Sequence, residues 1–321
     1  MKRFHLLTAA TCALLCSGSP TFAEDPKEDK LEVTVAILPH AFLVKSIGGD
    51  KVNINTLVGK GMDPHQFAIT PAQTIALSGA DVYFSSDMPF EDQFMDKITA
   101  GAKGLKIVKI NRGITFLDGQ CFHEDHDHGH EEEGEVVEPA VDPEAVEDEH
   151  DHDHEHHDHG IDPHTWTSPA LLMIQADTIQ KALAEAAPEH AKEFSDNLDT
   201  LFAEILEVDD EIAARLKPHK GKAFFVFHPA FGYFANQYGL VEWPIEVSGK
   251  KPTPKQLLTT IKEAGAAKAK TLFIEPQFDT SVTKEVARQI GSTVTMVDPL
   301  SEDLLNSLKE FAKDLEKSFA E

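Results

Sequence analysis

LEVTVAIL, Leu31 to Leu38, alternates polar and apolar residues and then turns wholly apolar. That is the pattern of a strand buried within a parallel sheet. A helix through Ala41–Ile47 is expected to follow, ended by Gly48-Gly49. KVNINTLV, from Lys51, reads as the second strand. TPAQTIALSGA reads as a helix entered at Thr70, with Pro71 at its first position. ADVYFSS and LKIVKI are further strands, with helical sequence from Glu91 to Ala100 between them. Strand, helix, strand, helix predicts a parallel sheet covered on both faces.

Outward from this unit, Pro188 opens the longest helical segment. Phe194, Leu198, Leu201, Ile205, Val208 and Ile212 recur at spacings of four and three, one apolar stripe. Uninterrupted from Pro188 to Lys217, such a helix would be about 45 Å long at 1.5 Å per residue, enough to run the height of two lobes. Past Pro218 and Gly221 the rhythm restarts with strands KAFFVF, GLVEW, TLFIE and STVTMV. Helices are expected over Phe231–Tyr238, Thr253–Ala267 and Val282–Ile290, with a last one from Glu302. The fold class is therefore α/β. Two lobes, each a mainly parallel sheet flanked by helices, span 24–187 and 218–321 and are joined by one long rigid helix over 188–217. The halves share an architecture without a readable sequence repeat.

A chain of 321 residues with 41% hydrophobic content can bury two ordinary cores. Its net charge of −26 is less ordinary, repelling nucleic acid and anionic lipid while drawing cations. Much of it comes from one tract. Between Cys121 and Gly160 lie seventeen Asp or Glu, no Lys or Arg, and ten of the seventeen histidines: His123, His126, His128, His130, His150, His152, His154, His156, His157 and His159. Such a segment has too few apolar residues to offset the entropy of ordering, so 121–160 is expected to be a disordered loop. Its imidazoles and carboxylates make it an accessory metal-binding loop. At the start of the chain, Lys2 and Arg3, an apolar run to Cys16 and Thr21-Phe22-Ala23 read as a signal peptide over 1–23. Cys121 is then the one cysteine of the exported chain, leaving no intramolecular disulfide.

Four candidate metal ligands fall near strand ends, where open parallel sheets bind ligands. His65 follows the second strand, His228 follows FFVF, and Asp298 follows VTMV; His164 comes from beyond the acidic tract, just before a helix entered at Ser168-Pro169. Each has a proline neighbour, and Asp63-Pro64-His65 recurs as Asp162-Pro163-His164. A fixed φ stiffens the backbone, so less ordering remains when metal arrives. Three His and one Asp suit tetrahedral zinc, whereas manganese favours more oxygen.

GMDPHQF, DPHTWTSP, FHPAFGYFANQYGL and VDPL, in this order along essentially the whole mature chain, resemble the solute-binding proteins of ABC importers of zinc and manganese. The preceding His-Asp-Glu tract is similar to the loop of the zinc-specific, ZnuA-type members. The resemblance implies a metal site in the interlobe cleft, on His65, His164 and His228. Asp298 matches the family's fourth position, which in some zinc members coordinates and in others yields to water or another carboxylate. Glu275, ending TLFIE, matches a carboxylate near the cleft and is expected behind the ligands or in the pocket wall. Manganese members tend to carry a carboxylate where this chain has His228. Two departures stand out: no second-lobe cysteine pair exists, and Pro64 replaces the carboxylate that precedes the first histidine in some relatives.

The resemblance thus implies a monomeric, non-enzymatic periplasmic protein without membrane insertion. It would capture Zn2+ as transported ligand and deliver it to an ABC-type import permease. A manganese importer protein, a zinc hydrolase and a metal store are the alternatives. A hydrolase needs an open coordination position and a general base, for which Asp63, Glu246 or Glu275 would serve. No HExxH or nucleophile motif accompanies them.

Overall fold

The computed structural model describes residues 30–119, 160–246, 253–278 and 281–320. The expected signal peptide, Cys121 and the tract histidines from His123 to His159 lie outside the described residues.

Among the described residues there are two four-stranded parallel sheets, each in a doubly wound order. The first contains β1 (Leu31–Ile37), β2 (Val52–Val58), β3 (Val82–Ser85) and β4 (Lys106–Lys109), ordered β2-β1-β3-β4. The second contains β5 (Ala223–Val226), β6 (Val241–Pro244), β7 (Thr271–Ile274) and β8 (Thr293–Met296), ordered β6-β5-β7-β8. Helices α1 (Leu38–Gly48), α2 (Pro71–Ser78), α3 (Asp92–Gly101) and α4 (Pro169–Ala186) accompany the first sheet. The second is accompanied by α6 (Gly232–Tyr238), α7 (Pro254–Ala266), α8 (Ser281–Ile290) and α9 (Leu304–Ala320). Helix α1 starts at once after β1 rather than at Ala41, because Pro39 lies in its first turn and needs no backbone donor there.

The halves also share a local signature, short enough to fall below a sequence repeat. Thr70-Pro-Ala-Gln73 and Thr253-Pro-Lys-Gln256 each close a capping box at the start of the helix that follows the edge strand. Equivalent positions in the two sheets thus use the same device.

The long helix α5 (Ala191–Leu216) runs about 39 Å at 1.5 Å per residue and is flanked by single 3₁₀ turns. All six residues of its predicted stripe are buried, and Leu216 extends it. Asn197 Nδ2 donates to Ile47 O of α1 at 2.9 Å, while Asp209 Oδ1 accepts from Gln237 Nε2 and the Tyr238 hydroxyl of α6, both at 2.7 Å. One end of α5 is therefore fastened to each lobe. A contiguous apolar cluster runs from Val35 and Phe84 through Leu201 and Ile205 to Phe224, Phe273 and Phe311. The alternate residues Phe225, Leu272 and Ile274 face a smaller cluster on the other side of the second sheet. Because the main core is shared, sliding the lobes apart would expose apolar surface.

Candidate metal centre

His65 stands on a 3₁₀ turn after β2. Asp63 Oδ1 accepts from the His65 backbone N–H at 2.9 Å, and Asp63 Oδ2 from Gln66 Nε2 at 2.8 Å. The carboxylate thus shapes the turn rather than touching the ring. The outer side of His65 meets solvent, but its Nε2 lies 3.1 Å from His228 Nε2. Burial of that inner edge, then the charges of His228 and His164, lower its pKa to about 3.

The second Asp-Pro-His repeats the turn and adds a contact. Asp162 Oδ1 accepts from the His164 backbone N–H at 2.9 Å and also takes the ring Nδ1 at 2.7 Å. His164 and Asp162 are both buried. The backbone around them is tied down from both lobes. Asp118 and Ile161 form an antiparallel bridge, and the Tyr233 hydroxyl accepts from Leu117 N at 2.9 Å while donating to Asp162 O at 2.7 Å. The chain therefore enters and leaves 120–159 directly beside His164. Gly232 is needed here, since a Cβ on it would lie 2.8 Å from Asp162 Oδ2.

His228 stands two residues beyond the end of β5. Its Nδ1 is held by Glu246 Oε1, two residues beyond β6, and its backbone N–H donates to Glu275 Oε2 at 3.3 Å. Phe278 lies against its ring, centroids 4.8 Å apart. Burial lowers the pKa of His228 despite the Glu246 hydrogen bond, and burial raises that of Glu275 well above the carboxylate range.

His65, His164 and His228 are brought together: their ligand nitrogens lie within 4.8 Å of one another. His164 Nε2 is 3.2 Å from His228 Nε2. With Nδ1–H donated to Asp162 and Glu246, the rings of His164 and His228 in their neutral form carry only a lone pair on Nε2. Two facing lone pairs do not hydrogen-bond. They suit a cation between them, and tetrahedral zinc with bonds of 2.0–2.1 Å sets its nitrogens about 3.3 Å apart. The two carboxylates fix the tautomers and offset the charge of a divalent ion. Pro64, Trp166, Ala230, Gln277, Phe278, Pro299 and Leu300 complete the cavity wall, and the cavity volume is ≈ 20 Å³.

Asp298, expected as fourth ligand, does not stand in that group. Its Oδ1 accepts from Gln277 Nε2 at 2.7 Å and from Leu300 N at 3.0 Å, and it lines a separate hollow of ≈ 340 Å³ with Ser307 and Asp314. The physical reason is local. Asp63, Asp162 and Asp298 each precede a proline and accept the N–H two residues on, the same Asx turn three times. In the first two motifs the residue so presented is histidine; in the third it is Leu300.

Glu275 does lie behind a ligand, on the backbone of His228 rather than its ring. Glu246, which the ring does use, was legible only as a carboxylate shortly after a strand. His219, just past the end of the long helix, is half-buried, with its ring 5.2 Å from Phe319.

His40 is fully buried beside the site, edge-on to Trp166 at 5.8 Å, and its nitrogens have no partner among the described residues. Burial lowers its pKa to about 3. Between the ordinary 6.5 and that value the unfolded chain binds a proton that the folded chain refuses. Stability therefore falls as pH drops below 6.5, by on the order of 4 kcal/mol near pH 3 for this residue alone. His40→Leu is expected to flatten that part of the stability–pH curve in urea melts between pH 7 and 4. An unchanged slope would assign the acid sensitivity to other groups.

Residues 33–317 match the family model described as "Zinc-uptake complex component A periplasmic". The high-affinity zinc uptake system protein of Brucella abortus is 31% identical over 319 residues, 95% of this chain and 93% of its own. The zinc-binding protein AdcA of Streptococcus pyogenes is 28% identical over 304 residues, covering 94% of this chain, which spans only 56% of that longer protein. The crystal structure of a zinc-bound 138–173 deletion mutant of ZnuA is 31% identical, with a TM-score of 0.75 over 90% of this chain and 98% of its own.

Proposed function

The chain belongs to the periplasmic zinc-uptake component A family, and from that premise we propose that it captures zinc between its lobes and delivers it to an ABC-type import permease. The observation that carries this reading is the convergence of three imidazole nitrogens, two of them backed by buried carboxylates. His65, His164 and His228 are the metal ligands; Asp162 and Glu246 orient the latter two. A nitrogen-rich set favours zinc over manganese. In the hydrolase alternative Glu246 would be a general base, but it is occupied on His228 Nδ1. Zinc is cargo here, and the protein is a carrier rather than an enzyme.

The finer parts of the proposal are export through a cleaved signal peptide, action as a monomer, and weaker binding of further zinc by the tract histidines. Among the described residues no helix is long and apolar enough to cross a membrane.

Zinc titration calorimetry of the mature protein and of a Glu124–His159 deletion tests the division of labour. The deletion is expected to keep one tight site and lose the weaker ones. Loss of the tight site would make the tract the binding element and the protein a metal store. The 138–173 deletion mutant of ZnuA is a relative with zinc bound in its crystal structure.

A further inference from the structure

Gln277 lines the cavity of the three histidines and, among the described residues, brings the one side-chain oxygen to its wall. Its amide orientation is fixed by Asp298, whose carboxylate can only accept and so takes Nε2. The opposite atom, Oε1, is buried and has no hydrogen-bond donor among the described residues. A buried amide oxygen without a partner is costly, and in native proteins such an atom has a use. The backbone offers little competition, since Pro299 O already accepts from Trp166 Nε1 at 2.8 Å. The cavity volume of ≈ 20 Å³ is close to that needed by one water-sized body. An ion seated on the three histidines would occupy a space of that size.

Resting on the zinc-capture reading, we propose that Gln277 Oε1 is the fourth donor to the captured zinc, and that Asp298 acts through it as a positioning residue. The site then has three nitrogens and one neutral oxygen. A neutral amide oxygen binds zinc less strongly than a carboxylate, which suits an ion that has to be handed on. The Asp298 carboxylate polarises the amide through its Nε2–H, adding electron density at Oε1. Phe278, against the His228 ring, holds the Glu275–Phe278 turn onto the site, where Phe278 N donates to Glu275 O at 3.3 Å.

The test uses the mature protein loaded with cobalt(II), whose visible absorption reports its coordination, together with zinc competition against a chromogenic chelator. The wild-type cobalt spectrum is expected not to respond to azide. Gln277→Ala opens the fourth position, so its spectrum changes and becomes azide-sensitive, while zinc affinity falls roughly ten- to a hundredfold. Gln277→Glu tightens zinc binding and stays insensitive to azide. Asp298→Asn keeps an oxygen that accepts from Gln277 Nε2, so azide has no access, although some affinity is lost.

A Gln277→Ala spectrum that is unaltered and inert to azide would overturn the assignment. So would azide sensitivity in Asp298→Asn without it in Gln277→Ala, which would make Asp298 the ligand. Either result leaves zinc capture standing. That reading fails separately if His228→Ala keeps tight zinc.

Discussion

His228→Ala is expected to weaken zinc binding by about 10²–10³-fold. A closed zinc site is worth roughly 10–16 kcal/mol over four ligands, so one ligand accounts for some 3–4 kcal/mol, and each 1.4 kcal/mol is tenfold. Two effects reinforce the loss. His228 Nε2 faces both other nitrogens, so its removal leaves His65 and His164 without the donor between them. Glu246, 3% exposed, loses the ring it holds and becomes a buried carboxylate with no counter-group, which favours its protonation. His65→Ala separates these contributions, because the outer side of His65 is exposed and its loss strands no buried carboxylate. It should lower affinity without the accompanying drop in apo stability. Competition titration and urea melts of both variants read the two quantities. Tight binding that survives both substitutions would dismiss the cleft site.

Trp166→Ala is expected to destabilise the protein by about 3–5 kcal/mol, the range for emptying a large buried aromatic site. Trp166 is 1% exposed, and its indole N–H crosses from one lobe to the Pro299 carbonyl of the other. Its ring lies 5.2 Å from His164 and 5.8 Å from His40, so the cavity would open directly behind a ligand. Removing it orphans the Pro299 carbonyl and frees His164 to turn, which also lowers zinc affinity. Trp166→Phe retains most of the packing and loses the hydrogen bond, for a cost of about 1 kcal/mol. Guanidinium unfolding of the zinc-free variants, compared at equal m-value, measures both. A loss below 1 kcal/mol for the alanine variant would show that the indole does not lock the lobes.

Much of this architecture was legible beforehand because it depends on short-range periodicity. LEVTVAIL had to be a buried strand, and the Phe194–Ile212 stripe had to be one face of a long helix. His65, His164 and His228 were legible for a related reason: strand ends and Asp-Pro turns are local features that place a side chain at a sheet's carboxyl edge. Asp298 shows where such reasoning stops. Its Asp-Pro is the same turn as the other two, yet the residue it presents is Leu300, and its own carboxylate serves the turn and Gln277. Its strand-end position and its match to the family's fourth position grouped it with the histidines, whereas its turn presents the residue two positions on. Gln277 carried no signal at all, since a lone glutamine after a strand resembles any surface amide.

By itself the sequence determined the fold class, the order of strands and helices, and which three imidazoles could meet a metal. Local hydrogen bonds, side-chain period and fixed φ angles set these, and all act within a few residues. Only the tertiary structure decided which carboxylate backs each ring, that Asp298 lies outside the group of three histidines, and that Gln277 lines their cavity. Those choices depend on how two separately built sheets are set against each other by α5, the shared core and the Trp166–Pro299 bond. Residues that touch across that seam lie as much as 163 positions apart in the chain. No local pattern encodes such a distance; the apposition of the lobes does.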